Sequence, residues 1–219
     1  MVDFRDVKNI YCVGRNYAKH ARELGNEVPS SPVIFSKPTH ALHSAEGELE
    51  LPFQLGEIHY ELELVIKMAS AFNPNQSLDK VIDSIALGID WTARDLQTTL
   101  KAKGQPWLLA KGFKGSAVLT EFLPVPNESD IPHLSYSLVK NGNVVQEGKP
   151  EQMIFSIREL LEYIDTHLGL NEGDIIFTGT PEGVGPIQSG DVMELKLYHP
   201  HTDSSYTFGP LKITSMKNT

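Results

Sequence analysis

One short stretch, 58–66 (IHYELELVI), places two carboxylates inside an otherwise apolar run. Side chains alternate between the two faces of an extended chain, so Glu61 and Glu63 are predicted on one face of a strand and Leu62 and Leu64 on the other. Two like charges side by side raise the free energy of the strand unless water solvates that face or a cation lies between them. The stretch therefore indicates either an exposed strand face or a cation site.

Length and charge narrow the class of protein. The 219 residues suffice for one large domain, and we predict a single domain over residues 1–219. Acidic residues outnumber basic ones, 28 to 19, and the formal net charge of -9 disfavours nucleic acid and anionic membranes as partners. The chain starts without an apolar leader and has no apolar run of about 18 residues, which predicts a cytoplasmic protein. The one cysteine, Cys12, lies in an apolar run and is predicted to be buried.

Residues 16–25 are predicted to form a helix that Asn16 caps, with His20 and Leu24 about one turn apart. On this helix His20 and Glu23 are three residues apart and therefore share a face. A carboxylate beside an imidazole orients the ring, as a general base requires, but the same pair also occurs as a simple charge pair on exposed helices. Both interpretations stay open at this point.

Three further charged residues lie at the ends of apolar runs or inside them. Asp90 ends a predicted buried strand, 84–90, and either points into a cleft or caps the helix that follows and stops at Gly104. Lys37 ends a short predicted strand and either binds an anion or faces solvent. Lys111 lies in the apolar run 107–113, where a lysine must extend to solvent or find an anion.

The C-terminal half is predicted to be rich in strands. An Asn-Gly turn at 141–142 between two apolar runs predicts a β-hairpin. Ser156 and Glu159 form a capping box for a helix through Leu168. A strand at 174–178 then leads into a glycine-rich loop, whose spacing is not that of a phosphate-binding loop. The predicted fold class is therefore mixed α/β and β-rich.

Three of the acidic residues suggest a metal site. Glu61, Glu63 and Asp90 offer hard oxygen ligands, which suit Mg²⁺, with Mn²⁺ as an alternative. Such a metal can chelate a small anionic 2-oxo acid through its carboxylate and keto oxygens and stabilise the enolate that forms when the adjacent bond breaks. The pair on the helix would supply the base, and Lys111 would place a positive charge near the oxyanion.

Five motifs together resemble the fumarylacetoacetate hydrolase family, in the right order and over nearly the whole chain: 14–20 (GRNYAKH), 61–63 (ELE), 90–97 (DWTARDLQ), 110–113 (AKGF) and 178–185 (TGTPEGVG). The sequence is most similar to the small single-domain branch that includes acylpyruvases and oxaloacetate-handling enzymes. The resemblance implies a β-roll of packed mixed sheets with peripheral helices, and a homodimer.

The resemblance also assigns roles to particular residues. The family's metal carboxylates fall on Glu61, Glu63 and Asp90. Its base dyad falls on His20 and Glu23, and its lysine on Lys111. Its substrate contacts fall on Arg15, Gln97 and Thr180.

The leading functional prediction is Mg²⁺-dependent hydrolysis of the C–C bond of a 3-acylpyruvate, of the acetylpyruvate or fumarylpyruvate type. In this mechanism His20 and Glu23 activate water, and enolpyruvate is the leaving group. The first alternative is decarboxylation or keto–enol tautomerisation of oxaloacetate at the same site, since these reactions share the enolate. The second alternative is a metal-dependent binder of 2-oxo acids without turnover.

Overall fold

A computed structural model describes residues 4–23, 25 and 27–216. The strands are β1 (Ile10–Gly14), β2 (Val33–Lys37), β3 (Leu42–Ser44), β4 (Gly47–Leu51), β5 (Ile58–Tyr60), β6 (Leu62–Met68), β7 (Ile82–Asp90), β8 (Thr92–Ala93), β9 (Ala117–Leu119), β10 (Leu123–Pro124), β11 (Ser135–Lys140), β12 (Asn143–Gly148), β13 (Ile175–Phe177), β14 (Gly185–Pro186), β15 (Val192–His199) and β16 (Ser204–Ser215). The α-helices are α1 (Ala18–Glu23), α2 (Leu78–Val81), α3 (Arg94–Ala102), α4 (Leu108–Lys111) and α5 (Ile157–Leu168).

These strands form three sheets. The largest has the order β2-β1-β13-β6-β7-β9-β3, with β10 also paired to β7, and the second has the order β12-β11-β15-β16-β4. The third is small, with the order β14-β5-β8. Parallel pairs (β1 with β13, β3 with β9, β4 with β16) occur beside antiparallel ones, so the two large sheets are mixed.

The main core lies between the two large sheets. Leu64 of β6 and Leu87 of β7 share one apolar cluster with Leu138 of β11 and Leu195 of β15, and α5 adds Leu161 to it. The strand β6 is buried on both faces, and its other face belongs to a second apolar cluster. Glu63 therefore lies inside the protein, because both faces of its strand pack against apolar clusters.

Three local predictions are confirmed. The Asn-Gly turn joins β11 to β12, and Asn141 and Gly142 both adopt positive φ angles, 52° and 81°, as a two-residue hairpin turn requires. The helix α5 begins with the predicted capping box of Ser156 and Glu159 and ends at Gly169. Cys12 is fully buried, as expected.

Among the described residues, no helix is long and apolar enough to cross a membrane.

The stretch 58–66 is not one strand, as the alternation had predicted. It is divided at Glu61 because β5 pairs with β8 and β14, whereas β6 pairs with β7 and β13. The change of partner leaves Glu61 between two sheets. The interpretation of an exposed strand face is also wrong, because Glu61 and Glu63 are 6% and 1% exposed.

Helix boundaries differ from the predictions at two sites. The first helix is only Ala18–Glu23, and Asn16 does not cap it because its amide binds backbone groups of Phe155 and Thr178. The predicted position of Leu24 lies outside the described residues. Asp90 is not a helix cap, since α3 begins only at Arg94.

Candidate active site

The three carboxylates predicted to bind metal converge in the structure. One oxygen from each of Glu61, Glu63 and Asp90 lies within 4.8 Å of the others. The register explains this, because β6 and β7 are antiparallel neighbours and the backbone NH of Asp90 donates to the carbonyl of Glu61 at 2.8 Å. In the part of the chain that the structure describes, no other group of His, Cys, Asp or Glu residues has this geometry.

Lys111 is the first of three cations around the triad. Its ammonium donates to Oε2 of Glu61 at 2.7 Å, to Oδ2 of Asp90 at 2.6 Å and to the hydroxyl of Thr92 at 2.6 Å. Burial lowers the pKa of Lys111, but the two carboxylates more than offset this and hold it above its usual value. The lysine in the apolar run has therefore found anions rather than solvent.

Lys37 is the second cation, and its side chain is fully buried. Its ammonium lies 2.7 Å from Oδ1 of Asp90. It also donates to the carbonyl and hydroxyl of Ser116 at 3.0 and 3.1 Å, to the carbonyl of Trp91 at 3.3 Å, and to the carbonyl of Lys111. Of the two interpretations of Lys37, anion binding is the one that the structure supports.

Arg94, the first residue of α3, is the third cation. Its guanidinium donates to Oε1 of Glu61 at 2.5 Å and to Oε1 of Gln97 at 2.8 Å. Burial raises the pKa of Glu61, but Lys111 and Arg94 outweigh burial and hold that pKa well below its usual range. Glu61 is therefore an anion in the folded protein.

The donor set fits a hard divalent cation such as Mg²⁺ or Mn²⁺. Burial, followed by the charges of Asp90 and Glu61, raises the pKa of Glu63 well above its usual value, and a cation among the three oxygens would remove that repulsion. Oδ1 of Asp90 is a buried oxygen outside hydrogen-bond geometry, although Lys37 is close to it. Buried oxygens without a directed donor are suited to bind a metal.

The predicted base pair lies on α1 at the edge of the same site. Nδ1 of His20 is 3.5 Å from Oε2 of Glu23, at the outer limit for hydrogen bonding. Glu23 also accepts from the backbone NH of Gly183 at 3.2 and 3.3 Å, which ties α1 to the glycine-rich loop. Burial lowers the pKa of His20 more than nearby carboxylates raise it, so the imidazole is neutral at pH 7.

A cavity of about 140 Å³ unites most of the predicted residues. Seven of the nine line it, namely Arg15, His20, Glu61, Glu63, Gln97, Lys111 and Thr180. The cavity lining does not include Asp90, which is fully buried, or Glu23, whose side chain is 37% exposed. A larger groove of about 500 Å³ lies over the five-stranded sheet but contains none of the nine. The smaller cavity is the candidate active site because the charged groups converge there.

Backbone geometry fixes the wall that carries Arg15. This residue has a positive φ of 60°, which is uncommon for a side chain other than glycine. The next residue, Asn16, is fully buried and its amide donates to the carbonyls of Phe155 and Thr178 at 3.1 and 2.9 Å. These bonds anchor the chain immediately before α1.

Two residues of the site were not predicted. Lys37 was left open between anion binding and solvent, and Arg94 received no role. A signal for Arg94 was present, because it lies three residues before Gln97 and hence on the same helix face. No comparable signal exists for Lys37, whose contact with Asp90 joins residues 53 positions apart in the chain.

The fold and this site define a strand-rich α/β scaffold built around a candidate centre for a divalent metal. The model of the fumarylacetoacetate (FAA) hydrolase C-terminal family matches residues 9–219. The chain belongs to the fumarylacetoacetate hydrolase family. This confirms the resemblance found in the sequence and, with the observed sheets, the predicted fold class.

Similar proteins have been named as enzymes. Oxaloacetate tautomerase FAHD1, mitochondrial, from Arabidopsis thaliana is 42% identical over 189 residues, 85% of each chain. Oxaloacetate decarboxylase, mitochondrial, from Dictyostelium discoideum is 37% identical over 203 residues, 91% of this chain and 93% of that protein. The crystal structure of fumarylpyruvate hydrolase from Pseudomonas aeruginosa in complex with Mn²⁺ and pyruvate has a TM-score of 0.85 and 32% identity, covering 96% of this chain and 91% of that one.

Proposed function

We propose that this chain is a divalent-metal-dependent enzyme that interconverts the keto and enol forms of oxaloacetate. The observation that carries the proposal is the small cavity, about 140 Å³, in which His20 lies beside a carboxylate triad. Sites for drug-sized ligands occupy roughly 300–1,000 Å³, so this cavity suits a small acid. The relatives named oxaloacetate tautomerase and oxaloacetate decarboxylase support oxaloacetate as that acid.

Glu61, Glu63 and Asp90 would hold the metal, which when bound would polarise the 2-keto group and acidify the protons on C3. Nδ1 of His20 faces Glu23, so Nε2 is the nitrogen that accepts a proton from C3.

Glu23 stabilises the resulting imidazolium. Lys111 lies at the carboxylate end of the cavity, where its charge offsets the negative charge that develops on the C2 oxygen. As the C3–H bond breaks, its electron pair forms the C2=C3 bond and the π pair of the C2 carbonyl moves onto its oxygen. The imidazolium of His20 then returns its proton to that oxygen, which gives the enol and restores the neutral imidazole. The reverse transfers restore the keto form.

A second candidate is hydrolysis of an acylpyruvate, the reaction predicted first from the sequence. It is favoured by the similarity to a fumarylpyruvate hydrolase solved with Mn²⁺ and pyruvate. The pair of His20 and Glu23 would activate water equally well. We place it second because the relatives named for oxaloacetate chemistry are 42% and 37% identical to this chain, whereas that hydrolase is 32% identical. Homodimerisation and a cytoplasmic location stay predictions.

The test is a comparison of three substrates with Mg²⁺ or Mn²⁺ present. Ultraviolet absorbance follows the tautomers of oxaloacetate, and a coupled lactate dehydrogenase assay detects pyruvate from acetylpyruvate or fumarylpyruvate. We expect metal-dependent tautomerisation that EDTA abolishes. His20→Asn should lower the rate by about 10²–10⁴, whereas the control His40→Asn, at an exposed histidine outside the cavity, should not. If pyruvate is released from an acylpyruvate faster than oxaloacetate tautomerises, the hydrolase replaces this proposal.

A further inference from the structure

One face of α3 forms a wall of the cavity. Arg94, Gln97, Thr98 and Lys101 all line it, and their spacing of three, four and seven residues places them in one stripe along the helix. Seven residues of α-helix span about 10 Å. The stripe therefore leads from Arg94, which binds the triad carboxylate Glu61, to Lys101 at the cavity mouth.

Positive charge is concentrated at this mouth, although the chain as a whole carries a formal net charge of -9. Lys101 is an exposed lining residue, and Arg15 lines the cavity from the segment between β1 and α1. Partial burial lowers the pKa of Lys101, and the charges of Arg15 and Arg94 lower it further, so the three cations lie close enough to repel one another. Such a cluster attracts an anionic group.

The guanidinium of Arg94 donates to Glu61 and Gln97 at the inner end of the stripe. A 2-oxo acid that binds at the triad with its keto end would direct its far end toward Lys101 and Arg15. The flexible four-carbon stem of a lysine lets its ammonium follow such a group.

We propose that Lys101, together with Arg15, binds the second carboxylate of a dicarboxylic 2-oxo acid, so that residue 101 selects diacids over monoacids of the same length. The inference rests on the proposed function, because it places the keto end of the substrate at the carboxylate triad. It adds a specificity-determining residue and excludes monoacids such as acetylpyruvate as preferred substrates.

The chain offers a matched control for Lys101→Met. Lys103 is the residue that follows the last turn of α3, is exposed, and is not a lining residue of the cavity. Lys103→Met removes the same charge from the same end of the same helix. Lys101→Arg retains the charge and tests for rescue.

The experiment is calorimetry with Mn²⁺-loaded protein and two four-carbon ligands, the diacid oxaloacetate and the monoacid 2-oxobutanoate. We expect Lys101→Met to raise the Kd of oxaloacetate about fivefold, the scale of one exposed ion pair, and to leave that of 2-oxobutanoate within twofold. Lys103→Met should change neither Kd, and Lys101→Arg should restore most of the loss. Added salt should reduce the difference between the diacid and the monoacid.

Equal changes for both ligands, or the same change in Lys103→Met, would overturn the proposal. Turnover of oxaloacetate is measured separately on the wild-type protein. If the binding selectivity depends on Lys101 but oxaloacetate does not tautomerise, the specificity inference is supported and the proposed reaction is wrong. If oxaloacetate tautomerises but Lys101→Met binds both ligands as the wild type does, only the inference is wrong.

Discussion

Replacing the buried Lys37 by methionine should destabilise the folded protein by about 3–5 kcal/mol, the cost of removing one partner of a buried ion pair. The side chain is fully buried, and its ammonium lies 2.7 Å from Oδ1 of Asp90. Methionine retains most of the apolar stem, so the loss is chiefly electrostatic. The carbonyls of Ser116 and Trp91 would also lose a donor.

Urea denaturation followed by tryptophan fluorescence measures this loss in the free energy of unfolding, and a thermal melt measures the matching change in Tm. For a chain of this size, 1 kcal/mol corresponds to roughly 2–4 °C in Tm, so Lys37→Met should lower Tm by about 10 °C. The control is Lys114→Met, because Lys114 is an exposed lysine two residues before Ser116, which accepts a hydrogen bond from Lys37. A double-mutant cycle with Asp90→Asn should give a coupling energy of about 0.5–3 kcal/mol. Equal stabilities of Lys37→Met and Lys114→Met would refute this account of the buried pair.

Three further predictions concern the cavity. Burial lowers the pKa of His20 below its ordinary 6.5, and only the neutral imidazole accepts a proton. The rate of tautomerisation should therefore fall on acidification, with a midpoint below pH 6.5. A midpoint above 6.5 in the pH–rate profile would contradict this. The same depressed pKa means that the unfolded chain binds this proton more readily, so the contribution of His20 to stability is lost as pH falls below 6.5. Three cations, Lys37, Lys111 and Arg94, match the three triad carboxylates in number. Bound Mn²⁺ therefore adds positive charge that a dianion would balance, so Mn²⁺ should bind at least about tenfold more tightly in the presence of oxalate. Calorimetry with and without oxalate checks this, and equal affinities would show that metal and dianion bind independently.

Local signals in the sequence predicted local structure well. The turn at Asn141 and Gly142 and the capping box at Ser156 and Glu159 depend on residues a few positions apart, and both occur as expected. The first helix was less well predicted, because Asn16 forms its hydrogen bonds with Phe155 and Thr178 rather than with the helix. A local capping signal fails where the capping side chain instead forms hydrogen bonds with backbone groups that are distant in the sequence.

The sequence by itself determined the chemistry available to this protein. The alternation around Glu61 and Glu63 indicated paired carboxylates, and the spacing of His20 and Glu23 indicated a pair on one helix face. Both depend only on the periodicity of a strand or a helix. The single domain over residues 1–219, which was inferred from chain length, stays a prediction.

Only the tertiary structure decided what those residues meet. Burial of β6 on both faces removed the solvent that would have stabilised Glu63, and the change of strand partner at Glu61 left that carboxylate beside Arg94 and Lys111. Lys37 reached Asp90 because the strand order brings distant segments together. Such contacts depend on sheet order, which no local pattern specifies, and they turn two ambiguous glutamates into a charge-matched candidate metal centre.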